Sequence, residues 1–318
     1  MEFESLIGFG IVFVLIAWAV SSLLTLAIWL HRGYLRGLGP ATERRAIELA
    51  VVLPIGFALA IVGILMLRSL FGFDHCQAHD HHAHLCLTHG AAWGREWWAV
   101  SVVAVAATVT AIRLGLLIKS VLQQRRLIDQ LRGFAWHQDG VWWVDSAEAL
   151  CFATGFRAPQ IFISTGVWSV LDEVERLAVL AHERTHVSNR DIARRFVLDV
   201  LLLVGAPLGW ILRRGWSSAT ERLCDARAAI EVGHGDIVAS AIMKVSRLGT
   251  SCTYSFAGFT PPADVLTDRI EAVLEEAPAG DAAAHMLSAL VGIVCVIFVT
   301  AFALESEPLH HVLESLLG

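Results

Sequence analysis

His182-Glu183-Arg184-Thr185-His186 has the residue types and the spacing to hydrolyse an amide bond with the help of a metal. On a helix, His182 and His186 fall about one turn apart on one face, so their imidazoles can share a cation. Glu183 stands beside them, within reach of a water held there. A catalytic Zn2+ takes three protein ligands and keeps one position open. The helix supplies two, so a third comes from elsewhere, and Glu221 in Glu221-Arg222-Leu223-Cys224-Asp225 is the best candidate. H-E-x-x-H alone also occurs by chance, as two surface histidines on an amphipathic helix; a later E-x-x-x-D makes the pattern far more specific. In this arrangement Glu183 takes the proton of the attacking water as general base and passes it to the leaving amine. Asp225 lies four residues after Glu221, on the same helix face, where it can hydrogen-bond the free nitrogen of a ligand histidine. The plainer reading of Asp225 is a helix-surface ion pair with a nearby arginine. Asp191, in Asn189-Arg190-Asp191, can cap or brace the site. Cys224 is a rival ligand in principle, but a free cysteine usually packs as a small hydrophobe, and packing is the expectation.

The elements around this motif have to be placed partly in a membrane. Of 318 residues, 56% are hydrophobic and only 17% charged, and the mean hydropathy is +0.61, too high for an ordinary soluble enzyme. A net charge of −6 gives no reason to expect direct nucleic-acid binding. Six cysteines without a C-x-x-C pair argue against a cysteine-based zinc module. Four apolar stretches are long enough to cross a bilayer as helices: Leu6 to Leu30, Leu49 to Leu67, Trp97 to Ile118 and Met286 to Leu304. The acidic start Met1-Glu2-Phe3-Glu4-Ser5 fits a retained span better than a cleaved signal. Pro54 inside the second span is tolerable where neighbouring helices or water satisfy the freed carbonyl. The first, second and fourth spans carry no charged residue, which argues against an ion path. Arg32, Arg36, Arg44 and Arg45 follow the first span, and Lys119, Arg125 and Arg126 follow the third. Basic loops mark the cytoplasmic side, so both regions are expected there, in the inner membrane of the cell.

This gives a mainly α membrane protein: four transmembrane helices with a cytoplasmic α+β zincin-like peptidase domain. Residues 1–118 hold three spans and an outside loop at about 69–96; residues 119–280 form the peptidase domain; residues 281–318 hold the fourth span and a short outside tail. Within the domain, Phe134 to Asp145 reads as a hairpin turning at Asp139-Gly140. Ala149 to Phe156 and Gln160 to Ser164 read as further strands. Asp172 and Glu175 are spaced as a capping box that starts the helix leading to His182. Val174, Leu177, Ala178 and Ala181 recur at helical spacing and are expected on its buried face. Pro261-Pro262 marks a turn between later helices.

Phe196 to Leu212 is apolar apart from Asp199, with arginine pairs at both ends. A single crossing would put Glu221 on the opposite side of the membrane from the histidines. Basic flanks at both ends also favour one side. The stretch is therefore expected to be a re-entrant helical hairpin or a buried core segment, bending around Gly205, Pro207 and Gly209.

Between the second and third spans, His75 to His89 is dense in imidazole and includes Cys76 and Cys86. The composition leaves three readings open: a metal-sensing loop, a loop closed by a disulfide in an oxidising compartment, or a polar loop with neither role.

These residues carry a family resemblance. The run Gly155-Phe156-Arg157-Ala158-Pro159, then Ile161 to Gly166, then His182 to His186, Arg190-Asp191 and Glu221 to Asp225 resembles the BlaR/MecR type of membrane zinc metallopeptidase. The four-span layout is also similar, and the likeness covers roughly Met1 to Leu304. It implies a gluzincin with Zn2+ on His182, His186 and Glu221 and with Glu183 catalytic. It further implies regulated cleavage of a cytoplasmic protein substrate, a transcriptional repressor among the candidates. The antibiotic-sensing members carry a large outside domain after the last span; only Glu305 to Gly318 follow it here, so β-lactam sensing is not expected. The HtpX type of quality-control peptidase is similar in logic and shares both motifs. A metal-sensing membrane protein built on the outside loop is the remaining alternative.

Overall fold

A computed structural model describes residues 3–70, 97–156, 158–205, 207–248, 263–275 and 282–304. The histidine-rich loop, Arg157, Pro261-Pro262 and the tail after Leu304 lie outside these residues.

The chain opens with α1 (Phe3–Leu30), the short α2 (Arg32–Gly37) and α3 (Pro40–Leu70), followed by α4 (Trp97–Phe134). Three stretches are long and apolar enough to cross a membrane: Ile7–Leu30, Pro40–Leu67 and Val100–Phe134. Their apolar side chains face outward along much of their length, as lipid-facing helices require; Leu23, Leu59, Val105 and Leu116 are all more than half exposed. Pro54 sits inside α3 and is fully buried.

Two helices outrun the apolar stretches read from sequence. The second begins at Pro40, not Leu49, so Glu43, Arg44, Arg45 and Glu48 belong to the same helix as the span. The third does not stop at Ile118 but continues to Phe134. Hydropathy detects the change from lipid to water, whereas the helix itself goes on until a breaker arrives, and from Lys119 onward the first is Gly133.

The end of α4 leads directly into a four-stranded sheet: β1 (Ala135–Gln138), β2 (Val141–Val144), β3 (Cys151–Thr154) and β4 (Gln160–Ser164). The order is β1-β2-β4-β3, with β2 and β4 parallel and the outer pairs antiparallel. Asp139 and Gly140 both take positive φ, 53° and 80°, the pair of left-handed residues a tight hairpin needs. Gly155, at φ 107°, turns β3 toward β4; a Cβ there would lie 2.4 Å from the Ala158 carbonyl oxygen. One face of the sheet buries Val144, Leu150 and Phe162 against Ile128 and Leu131 of α4. The other buries Ile161 and Ile163 against α5 (Thr165–Val170) and later helices.

The helices α6 (Glu173–Asn189), α7 (Asp191–Gly205), α8 (Gly209–Val232), α9 (Gly235–Leu248), α10 (Ala263–Leu274) and α11 (Ala282–Leu304) complete the chain. The described apolar part of α11, Ala282–Ile297, is shorter, so three of the four expected spans have the length and composition of a crossing among the described residues.

Phe196 to Leu212 is not one continuous helix: α7 ends at Gly205 and α8 starts at Gly209, forming the arms of a helical hairpin. Ile47, Ala50 and Val51 of α3 pack with Leu198 and Leu202 of α7 and with Leu212 and Trp216 of α8. Near the tip, Trp18 of α1 donates to the Val204 carbonyl at 3.3 Å and Thr110 of α4 donates to that of Leu203 at 3.4 Å. Both acceptors lie in the last turn of α7, where carbonyls lose their helical partners, so two apolar helices satisfy groups that lipid could not. Arg213 of α8 clasps Asp199 of α7 through two hydrogen bonds of 2.7 and 3.3 Å, which joins the arms of the hairpin.

Candidate metal centre

Helix α6 starts where its sequence says it should. The Asp172 carboxylate accepts from Val174 and Glu175 N–H groups, and the Glu175 carboxylate accepts from the Asp172 N–H. Its buried face differs from the apolar repeat, however. Ala178 and Ala181 are buried as expected, but Val174 is 43% and Leu177 54% exposed. Glu175 takes the inward position instead, accepting from Ser240 at 2.7 Å and Lys244 at 2.6 Å on α9. A carboxylate that both caps its helix and pairs with a neighbour can displace an apolar side chain from the inner face, and periodicity alone does not register it.

The helix ends on Arg190, a left-handed residue at φ 54° whose N–H closes onto the carbonyls of His186 and Val187. That reversal starts α7 at once and carries Asp191 to the ring of His186. Helix α8 then packs along α6 through Ala178, Ala181 and Ala228, small residues that let the two backbones approach closely. This brings Glu221 and Asp225 to the histidines.

The resulting geometry has two tiers. His182 Nδ1 lies 2.8 Å from Asp225 Oδ1, and His186 Nδ1 lies 3.0 Å from Asp191 Oδ2. The opposite nitrogens converge, with 3.2 Å between the two Nε2 atoms. Glu221 closes the group, with Oε2 3.6 Å from His182 Nε2 and Oε1 3.6 Å from His186 Nε2. Zinc bonds of about 2.0–2.2 Å at tetrahedral angles put neighbouring donor atoms roughly 3.3–3.6 Å apart, so the donor set fits. When each Nδ1 donates to a carboxylate, each Nε2 presents a lone pair. Two lone pairs and a carboxylate cannot satisfy one another, but a divalent cation satisfies all three.

Without a cation, the same carboxylates favour protonated imidazoles. Burial alone would lower the pKa of His182, but the Asp225 and Glu221 carboxylates together raise it to about 10. His186 is likewise raised against burial by Asp191 and Glu221. Burial opposes the charge on Glu221, yet the Arg269 guanidinium and the two imidazoles hold its carboxyl well below the usual range. A cation entering here displaces protons from the imidazoles, so binding weakens as pH falls.

Glu183 is 6% exposed on the same helix. The Cys151 thiol, on edge strand β3, donates to its Oε1 at 3.6 Å. Its Oε2 is buried with no hydrogen-bond partner among the described residues, and its carboxylate bears on the charge of His186.

Asp225 holds His182, and it also accepts two hydrogen bonds from Arg269 of α10, at 2.7 and 2.8 Å; Asp225 is buried and the pair joins two helices, unlike the helix-surface pair of the plainer reading. The same guanidinium reaches Glu221 Oε2 at 3.1 Å. Sequence reasoning missed Arg269; a single arginine 44 positions from its partner leaves no periodic or motif signal. Asp191 braces His186, as one of its readings had it. Cys224 is fully buried, as packing predicts, yet His182, His186 and Cys224 also offer ligand atoms that all lie within 4.8 Å of one another. Its sulfur faces the rear of the His186 ring, 3.4 Å from Nδ1 and 3.8 Å from Asp191 Oδ2. Burial and the surrounding carboxylates push its thiol well above the usual range, away from the thiolate that a metal prefers.

Residues 124–256 match the model of Peptidase family M48, so this stretch is similar to a zincin-type metallopeptidase domain. The match contains α6 and α8 with every histidine and carboxylate of the cluster, whereas Arg269 lies beyond it. No solved structure matches the chain.

Proposed function

We propose that the chain is a membrane-embedded, zinc-dependent endopeptidase in which His182, His186 and Glu221 hold the metal and Glu183 is the general base. The observation that carries this reading is the convergence of two Nε2 atoms and one carboxylate, with a separate acid, Asp225 or Asp191, behind each imidazole. Metal-binding histidines are normally oriented in that way. Glu221 is preferred to Cys224 as third ligand because it faces both Nε2 atoms. The Cys224 sulfur lies instead against the His186 nitrogen that Asp191 already engages.

Zinc at this centre would supply Lewis acidity to a carbonyl and make a water acidic at neutral pH. Glu183 then takes the water proton on its unpartnered Oε2 and returns it to the leaving nitrogen. Arg269 keeps Glu221 and Asp225 ionised and in place. Among the described residues β3 pairs only with β4, which leaves its other edge beside α6 for an extended segment of a protein substrate. Removing metal with a chelator is expected to abolish cleavage of an unfolded protein substrate, and one equivalent of Zn2+ to restore it. Undiminished cleavage by protein shown to be free of metal would end this reading.

The distribution of basic residues supports a cytoplasmic domain in the inner membrane. Single cysteines at two exposed positions on either side of the hairpin, Ser188 and Glu231, test it in a background without accessible native cysteines. Both are expected to resist a membrane-impermeant thiol reagent in intact cells and to react once the membrane is opened. Labelling of either one in intact cells would overturn the orientation. Regulated cleavage of a repressor rests on the BlaR/MecR resemblance, as turnover of damaged protein rests on the HtpX one. The histidine-rich loop, if it holds metal, would add an input to either.

A further inference from the structure

Helix α3 enters the metal centre from outside the peptidase-like stretch. Arg44, in its second turn, places Nη1 2.9 Å from Asp191 Oδ1. The other oxygen of the same carboxylate, Oδ2, is the partner of His186 Nδ1 at 3.0 Å. Arg44 is 8% and Asp191 5% exposed, so water does not compete freely for either group. On its other side Arg44 meets Glu48, with Nε 3.8 Å from Oε1. Glu48 is in turn fixed by Trp216 of α8 at 3.2 Å. The guanidinium is thus held between two carboxylates and has little freedom to turn. The neighbouring residue, Glu43, pairs with Arg222, which follows Glu221 on α8. Two consecutive residues of one apolar-span helix therefore each hold a different helix around the site, α7 and α8.

We infer that Arg44 is a positioning residue of the metal centre, acting on His186 through Asp191. This rests on the ligand set proposed above. An aspartate shared between an imidazole and a guanidinium has both oxygens committed, which fixes its plane and hence the tautomer and tilt of the ring. Without Arg44, Oδ1 is a buried carboxylate oxygen without its cation, and the group turns or draws in water to satisfy it. His186 then loses its fixed direction. A merely structural role would bind α3 to α7 but leave the metal indifferent to Arg44. Position 44 lies outside the stretch 124–256, so the domain as matched lacks part of the support of its own ligand.

The test uses the full chain with the histidines between 75 and 89 replaced, so that one zinc site is read. Zinc affinity is measured by competition with a chromophoric chelator, and ligand geometry by the visible absorption of the Co2+ form. Arg44→Met is expected to weaken zinc about 10- to 100-fold and to alter the cobalt spectrum, and Arg44→Lys to recover most of both. Asp191→Asn is expected to weaken zinc, and the Arg44→Met, Asp191→Asn double variant to be no weaker than Asp191→Asn alone. Parent-like affinity and spectrum in Arg44→Met, or losses that simply add in the double variant, would overturn the inference. Should Arg44→Met not fold, Arg44→Gln is read against the same two outcomes. His182→Ala separates the two levels of argument. If it keeps full zinc, the ligand set itself is wrong. If it loses zinc while Arg44→Met binds normally, only the role of Arg44 falls.

Discussion

Glu183→Gln is expected to yield a folded protein that binds about one zinc per chain and cleaves about 10²- to 10⁴-fold more slowly. The substitution keeps the size of the side chain and an oxygen for the Cys151 thiol 3.6 Å away. What it removes is the basicity of Oε2, the buried oxygen that has no other partner among the described residues. An amide cannot take up a proton at neutral pH, so the attacking water would keep its own. The loss should appear in kcat with little change in KM, because Glu183 is asked to act only as the proton moves. Metal analysis alongside the kinetics keeps a missing base distinct from a missing metal. Near-normal turnover with full zinc would mean that another group activates the water.

The second large effect concerns the metal itself. Joint replacement of His182 and His186 by alanine should remove zinc from the inner site altogether. Glu221→Ala should come close to the same result, and Cys224→Ala should bind as the parent does. The contrast follows from which nitrogen each partner faces. Glu221 addresses both Nε2 atoms at 3.6 Å, whereas the Cys224 sulfur stands 3.4 Å from a nitrogen already engaged by Asp191. Loss of an outer partner alone typically costs about 10- to 100-fold in metal affinity, so loss of a direct ligand should exceed that. Zinc analysis and competition titration of the four proteins, again without the outer histidines, decide it. Tight zinc in Glu221→Ala together with loss in Cys224→Ala would exchange the third ligand.

What the sequence could show and what it could not follow from how far each signal reaches. The capping box, the Asp139-Gly140 turn and the H-E-x-x-H helix are local patterns, and α6 and the first hairpin form where they point. The bend between α7 and α8 was legible for a different reason: one metal site cannot straddle a bilayer, so the spacing of His182 and Glu221 constrained the topology between them. Arg44 and Arg269 were not legible. Each meets its carboxylate across the fold, 147 and 44 positions away, and a lone arginine has no pattern of its own. The inward Glu175 was missed because hydrophobic periodicity assigns burial by residue type, and this carboxylate earns its place through Ser240 and Lys244.

The hairpin also works as a depth gauge. Its apolar arms begin at Phe196 and end at Leu212, ten residues after His186 and nine before Glu221. At about 1.5 Å per helical residue, each tether is at most roughly 15 Å long. With Trp18 and Thr110 fastening the tip to α1 and α4, His186 and Glu221 are leashed from both sides close to the apolar helices. On the ligand set proposed above, a peptide bond would be screened by where it sits as well as by its sequence. Bonds close to a membrane anchor would come within range, whereas the same residues on a freely diffusing protein would first have to be delivered to that height.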